Sequence, residues 1–225
     1  MKVIILIDAK NFERGVYSLC ERRKEFRFID FHKLNKFIIE YLSNNPQYKN
    51  ILLQHIRTYF YSGEYTENLI RKIDKFLKEN PSKANHVSIL LDKCKREYKK
   101  QSNFLKFTKN YLFFEVKLKP LQFSQSDLRI LQKGVDVQLA VDLVDFTHKN
   151  VYDIGVILSG DIDLIESVKN AKGMGKQIII MGNSSVTAEE MKRHADLFID
   201  IERFNEAQLN QFTHIYNKKE NLVGL

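Results

Sequence analysis

Short apolar runs and longer amphipathic stretches alternate along the chain. Val3 to Ile7 is a continuous apolar run closed by Asp8, which predicts a strand buried on both faces. Asn11 to Leu19 and Phe31 to Leu42 read as helices, the second carrying Phe31, Leu34, Phe37, Ile38 and Leu42 at helical spacing. Asn44-Asn45-Pro46 breaks the chain, and Ile51 to Tyr61 predicts the next strand, ending at Ser62-Gly63. Two polar helices, Asn68 to Lys78 and Val87 to Lys100, separate it from a strand over Tyr111 to Leu118.

A loop is expected as far as Lys133, followed by a helix over Val135 to His148 and an apolar strand over Asp153 to Leu158. Leu164 to Ala171 reads as a helix and Gln177 to Met181 as a strand. Thr187 and Glu190 have the spacing of a capping box for a helix to about Ala195. Leu197 to Ile201 is a last short strand, and Asn205 to Asn217 a terminal helix. Strands alternating with helices predict an α/β fold with a doubly wound, mostly parallel sheet flanked by helices.

Composition narrows the class. The chain has 225 residues, 44% of them hydrophobic, with 9 Gly and 3 Pro, which excludes collagen-like and disordered chains. Cys20 and Cys94 lack zinc-site spacing, so they are expected as reduced thiols in a cytoplasmic protein. The opening apolar run is too short for a signal sequence or a membrane span, so no membrane partner is expected. The six histidines fall in no ligand pattern, and no Gly-rich loop precedes a Lys-Ser/Thr pair, which disfavours zinc chemistry and nucleoside triphosphate hydrolysis.

The formal net charge of +8 has two unlike sources. From Lys93 to Lys119 nine Lys/Arg stand against two Glu; from Asp136 to Glu166 seven acids stand against Lys149 alone. The basic segment suits an anionic partner, nucleic acid first. Lys93, Lys95, Arg96, Lys99 and Lys100 lie along one predicted helix and its end, near Tyr98, Phe104, Phe107 and Tyr111. Cations with aromatics suit single-stranded nucleic acid, and the competing reading is a solvated helix whose aromatics are core. The acidic segment repels itself unless cations neutralise it, so a metal is the first partner expected there.

In a parallel sheet, ligands bind beyond the carboxyl ends of the strands. Two predicted strands end in acids there: Asp8 after the first, and Ser159-Gly160-Asp161-Ile162-Asp163 after the strand ending at Leu158. The ordinary role of either Asp is an N-cap or a turn. Their conjunction favours a shared site.

Four segments together carry a family resemblance: Ile7-Asp8-Ala9-Lys10-Asn11, Lys133-Gly134-Val135-Asp136-Val137-Gln138-Leu139-Ala140-Val141-Asp142, Leu158-Ser159-Gly160-Asp161-Ile162-Asp163-Leu164 and Ala195-Asp196-Leu197-Phe198-Ile199. In order and spacing they resemble the NYN domain family, the PIN-like ribonuclease group that includes the LabA-like proteins. The resemblance implies a PIN-like, Rossmann-like three-layer sandwich over residues 1–202, with a basic helical insertion at about 64–110. A C-terminal helix and tail at 203–225 would follow.

The resemblance further implies a metal-binding pocket of Asp8, Asp136, Asp161 and Asp163, with Asn11 as a polar helper. It implies a ribonuclease, an endonuclease by expectation, that uses Mg²⁺ or Mn²⁺ and leaves a 5′-phosphate and a 3′-hydroxyl. Its RNA partner would be single-stranded or structured, and a homodimer is left open. Asp142 matches a recurrent family Asp. A helix turns about 600° between Asp136 and Asp142, so both cannot point into one pocket. Asp142 is therefore read as structural, on a solvated surface or in a salt bridge. Lys10 and Leu164 depart from the small and aromatic residues the family often has at these places; Lys10 and Lys133 are candidate phosphate contacts. The rival functions are a catalytically weak RNA-binding or regulatory protein of the same fold, and a haloacid-dehalogenase-type phosphatase. The phosphatase expects a second Asp where this chain has Lys10.

Overall fold

The structure is a computed structural model that describes residues 1–215. Strand β1 (Lys2–Asp8) lies inside a six-stranded sheet and is hydrogen-bonded on both edges. On one side it pairs with β3 (Gln54–Glu64), which pairs with β4 (Phe114–Pro120); on the other with β7 (Ile154–Leu158), followed by β8 (Gln177–Gly182) and β9 (Leu197–Asp200). All these pairings are parallel. The spatial order β4-β3-β1-β7-β8-β9 reverses direction between β1 and β7. The α/β class, the mostly parallel sheet and its flanking helices are as the periodicity predicts.

Helices cover both faces. Val3, Ile5 and Ile7 of β1 point to one core with α1 (Ala9–Arg23) and α2 (Phe31–Ser43), where Phe12, Val16, Leu34, Phe37 and Ile38 are buried. Ile4 and Leu6 point to a second core with α5 (Val135–His148), α6 (Ile165–Gly173) and α7 (Glu189–His194). Each large aliphatic side chain so buried contributes about 2 kcal/mol of hydrophobic stabilisation. The period-two alternation within an all-apolar strand thus becomes a three-layer sandwich.

A third, smaller core lies between α3 (Glu67–Glu79) and α4 (Ala84–Thr108). It contains Leu69, Ile73, Phe76, Val87, Leu91 and Cys94. Helix α4 runs beyond the predicted Lys100, because Gln101 bonds both the amide of Tyr65 and the carbonyl of Gly63, and Phe104 packs on Phe31 and Phe60. The expected loop before Lys133 includes a hairpin, β5 (Gln122–Ser124) with β6 (Arg129–Leu131), whose Phe123 and Ile130 pack against that small core. Three-residue strands leave too little alternation to read in sequence.

Two predictions are overturned. The terminal helix is only α8 (Glu206–Leu209); Thr213–Ile215 forms β10, antiparallel to β2 (Arg27–Ile29). Residues 216 and 217 of the predicted helix, and the rest of the tail, lie outside the described residues. The reason is Arg27, whose side chain is buried. Its guanidinium donates to both Glu25 carboxylate oxygens at 2.7 and 3.2 Å, to Asn210 Oδ1 at 2.7 Å, to Thr213 Oγ1 at 3.0 Å and to Glu206. A buried guanidinium needs such partners, and a continuous helix could not supply them all. The capping box at Thr187 is also absent, since Ala188 is the N-cap of α7 and the Thr187 hydroxyl donates to the Asn183 carbonyl at 2.8 Å. That local bond competes with capping.

Among the described residues no helix is long and apolar enough to cross a membrane. Arg27→Met is expected to destabilise the fold by about 3 kcal/mol, by leaving its carboxylate and amide partners unpaired. A urea-unfolding midpoint equal to that of the wild type would show that the network is dispensable.

Candidate active site

The reversal between β1 and β7 places two strand ends side by side. Ile7 is in register with Leu158 across β1 and β7, and Asp8 with Tyr61 across β1 and β3. Asp8 therefore opens onto the same crevice as the Ser159–Asp163 turn. Asp8 is 6% exposed. Asp8 Oδ1 accepts from the Asn11 amide at 3.1 Å and caps α1.

Asp161 also caps, as its ordinary reading holds: its Oδ1 accepts from the Asp163 amide at 3.2 Å at the start of a short 3-10 turn, Ile162–Leu164. Capping engages one oxygen of each carboxylate, and no described donor bonds the other. Asn11 Oδ1 accepts from the Gly160 amide at 2.9 Å, tying the first turn of α1 to the turn after β7. Gly160 is required there by close approach, since a Cβ would stand 2.6 Å from Thr187 Cα.

Burial pushes the Asp8 carboxyl up to about 6; the Asn11 hydrogen bond opposes this, the charges of Asp161 and Asp136 add to it, and Lys10 again opposes it. These effects identify the neighbours. Asp136 stands partly buried in the first turn of α5, after Gly134 in the left-handed region at φ 77°. An acid there is favoured by the helix dipole. Asp163 is exposed at the rim and is not among the charges that shift Asp8. The structure thus places Asp136 and Asp161 near enough for their charges to act on Asp8, with Asn11 bonded to the turn that carries Asp161. Among the described residues no three His, Cys, Asp or Glu side chains form a ready metal cage.

Asp142 resolves to the ion-pair alternative. It is buried, and accepts from Tyr61 Oη at 2.8 Å, Lys117 Nζ at 2.7 Å and Gln138 Nε2 at 2.8 Å. Burial and the Asp142 charge drive the Tyr61 phenol far above its usual range. This network fixes α5, and so Asp136, against β3 and β4.

Sequence reading missed Glu13. Its carboxyl is pushed up to about 7, by burial first and then by Glu97 of α4 and by Asp8. Five residues beyond Asp8, in the helix that Asp8 caps, is no recognisable spacing, and Glu97 comes near only through tertiary packing. Lys10, Lys133, Lys93, Lys95, Arg96, Lys99 and Lys100 are all exposed. On α4, at about 100° per residue, Lys93 and Lys100 flank Glu97 while Lys95 and Lys99 face further out. Of the aromatics near them, Phe104 is packed in the main core, Tyr98 bonds Glu67 at 3.3 Å, and Phe107 is 65% exposed.

Asp8 binds its proton more tightly folded, at about 6, than unfolded, near the ordinary value of 3.8. The native state therefore loses stability as pH rises through that window. Asp8→Asn keeps a capping side chain and removes the charge. It should raise stability at about pH 8 by up to about 3 kcal/mol, and by little at about pH 3.5. Equal stabilisation at both pH values would rule out the buried charge as the cause. Gly160→Ala is expected to lower the melting temperature by several degrees, through a shifted turn, with a cost of about 1–3 kcal/mol.

Comparison with known proteins bears on the family and the fold. The family model described as NYN domain matches residues 2–202. No curated protein matches. A crystal structure of a protein of unknown function from Vibrio parahaemolyticus is similar over 95% of this chain and 96% of that one, at 18% identity and a TM-score of 0.54, which speaks to the fold alone. Nuclease activity is the general implication of the family model, and with a match spanning residues 2–202 the chain belongs to the NYN domain family.

Proposed function

We propose that this protein is a metal-dependent endoribonuclease that hydrolyses RNA phosphodiester bonds in the crevice between β1 and β7. The observation that carries the reading is the buried Asp8 carboxylate, held against the charges of Asp161 and Asp136 at the topological switch point. Burying mutually repelling carboxylates is costly, and a bound cation offsets that cost.

The donor set fits Mg²⁺ or Mn²⁺. All the donors are carboxylate oxygens, and such ions bind through one or two carboxylates while keeping several waters, so a closed cage is not required. Asp8 and Asp161 would hold the ion through the oxygens that capping leaves available, with Asp136 as a further ligand or water orienter and Asp163 reaching in from the rim. The chemistry supplied by a bound divalent ion is Lewis acidity toward the phosphate and activation of water for in-line attack. Asn11 acts as a positioning residue by locking the turn that carries Asp161. Lys10 stands exposed at the crevice, where it can contact the scissile strand.

The basic surface of α4, with Lys93, Lys95, Arg96, Lys99 and Lys100, would gather RNA through its phosphates. Residues 1–202 then make the nuclease domain, with the α3–α4 unit as a substrate-holding insertion and 203–225 as an appended segment. The second reading is an RNA-binding or regulatory protein of the same fold that does not cleave, and the open arrangement of the carboxylates speaks for it.

A circular RNA with added Mn²⁺ or Mg²⁺ separates the readings. Linearisation that is blocked by chelator, and lowered at least about 100-fold in Asp8→Asn and Asp161→Asn, is expected. RNA binding without any cutting in either metal would leave the second reading standing. Lys95→Glu with Lys99→Glu should weaken RNA binding and flatten its salt dependence while sparing the cleavage rate at saturation.

A further inference from the structure

The α3–α4 insertion has a cavity that the carboxylate chemistry does not use. It opens between α3 and the β5–β6 hairpin, with a volume of about 350 Å³. Lys72, Lys75, Phe76 and Glu79 line it from one face of α3, recurring at steps of three and four residues, and Phe123 lines it from β5. The two rings meet edge-on, with centroids 5.3 Å apart and planes inclined by 74°. Such a meeting leaves the faces of one ring uncovered by the other. Phe76 is buried, whereas Phe123 is half-buried at the cavity wall.

Cations gather at the same mouth. Lys72 and Lys75 are exposed, and Lys83 stands over the Phe76 ring with its Nζ 5.6 Å from the centroid. Glu79 is the acid of the lining; it is exposed and lies 3.7 Å from Lys75 Nζ. Among the described residues, neither Lys72 nor Lys83 has a carboxylate within ion-pair distance. Three cations against one acid leave a positive balance that a bound anion offsets.

We propose that this cavity binds a nucleoside phosphate: the base stacks on Phe123 while Lys72, Lys75 and Lys83 hold the phosphate. Lysine takes phosphate as a point charge, and an aromatic face takes any base. An inorganic phosphate or an acidic peptide would use the cations but has no need of the ring. The volume is also more than a lone phosphate fills, and lies at the lower end of the about 300–1,000 Å³ of small-molecule sites. A free nucleotide and the 5′-phosphorylated end of an RNA present the same chemistry. None of these residues belongs to the crevice between β1 and β7, so the site goes beyond the nuclease reading and does not depend on it.

The test is calorimetric titration of the full chain, in chelator, with uridine 5′-monophosphate, uridine and inorganic phosphate. The nucleotide should bind at least about tenfold more tightly than either fragment. Phe123→Leu keeps apolar bulk and removes the ring face, and Lys72→Gln with Lys75→Gln removes charge from an exposed helix face; thermal melting checks that each is folded. Each should weaken nucleotide binding about tenfold, the first with inorganic phosphate unchanged and the second with uridine unchanged. A nucleotide that binds no more tightly than inorganic phosphate, or equally well to the wild type and the lysine variant, would overturn the site. The lysine variant alters exposed side chains alone, so it decides the matter even where Phe123→Leu does not fold. In a site so supported, tighter binding of 5′-phosphorylated tetrauridine than of the mononucleotide, lost in the same variants, assigns it to an RNA end, and the reverse order assigns it to a free nucleotide.

Discussion

The site depends on β1 being interior to the sheet. Because Val3 to Ile7 is apolar at every position, the strand can be covered on both faces and paired on both edges. The chain winds outward from it in one direction to β4 and in the other to β9, and the helices diverge where the winding reverses. A crevice opens at that reversal as a consequence of the topology. A strand with one polar face would have stayed at the edge of a layer, and Asp8 would have faced solvent.

Electrostatics and packing meet at Asp8. The same burial that secures β1 strips water from its last side chain, and the turn after β7 delivers Asp161 next to it. The charges of the crevice are held close by bonds with no evident purpose except placement. Asn11 grips Gly160, while Tyr61, Lys117 and Gln138 hold Asp142 and with it α5. The fold opposes the local charge repulsion with its core.

Net charge is distributed according to these tasks. Asp136 of α5 and Asp161 of the β7 turn add their charges to that of Asp8, whereas the cations of α4 sit on a helix with its own small core. On the far side, the buried Arg27 fastens β10 and α8 to β2 and completes the cover over α2. Arg27 also anchors the strand from which Phe28 projects, so one buried cation supports the outer face of the α1 layer.

The sequence alone determined the strand-helix alternation, the apolar interior strands and the acids at two strand ends, because buried parallel strands must be continuously apolar and their ends must turn. It therefore exposed Asp8, Asp161 and Asp163 at two strand ends, to which the family resemblance added Asp136 and Asn11, and the charge division between the Lys93 and Asp136 segments. It did not expose β2, β10 or the β5–β6 hairpin, whose three-residue strands are held by partners distant in sequence, nor the failed cap at Thr187, which a carbonyl four residues back wins. Only the tertiary structure decided that Asp142 is buried against Lys117 and Tyr61, that Glu13 faces Glu97, and that Tyr17 stacks on Phe26. Local pattern records which side chains avoid water; which charges and rings end up as neighbours is set by how distant elements pack, and no spacing along the chain encodes it.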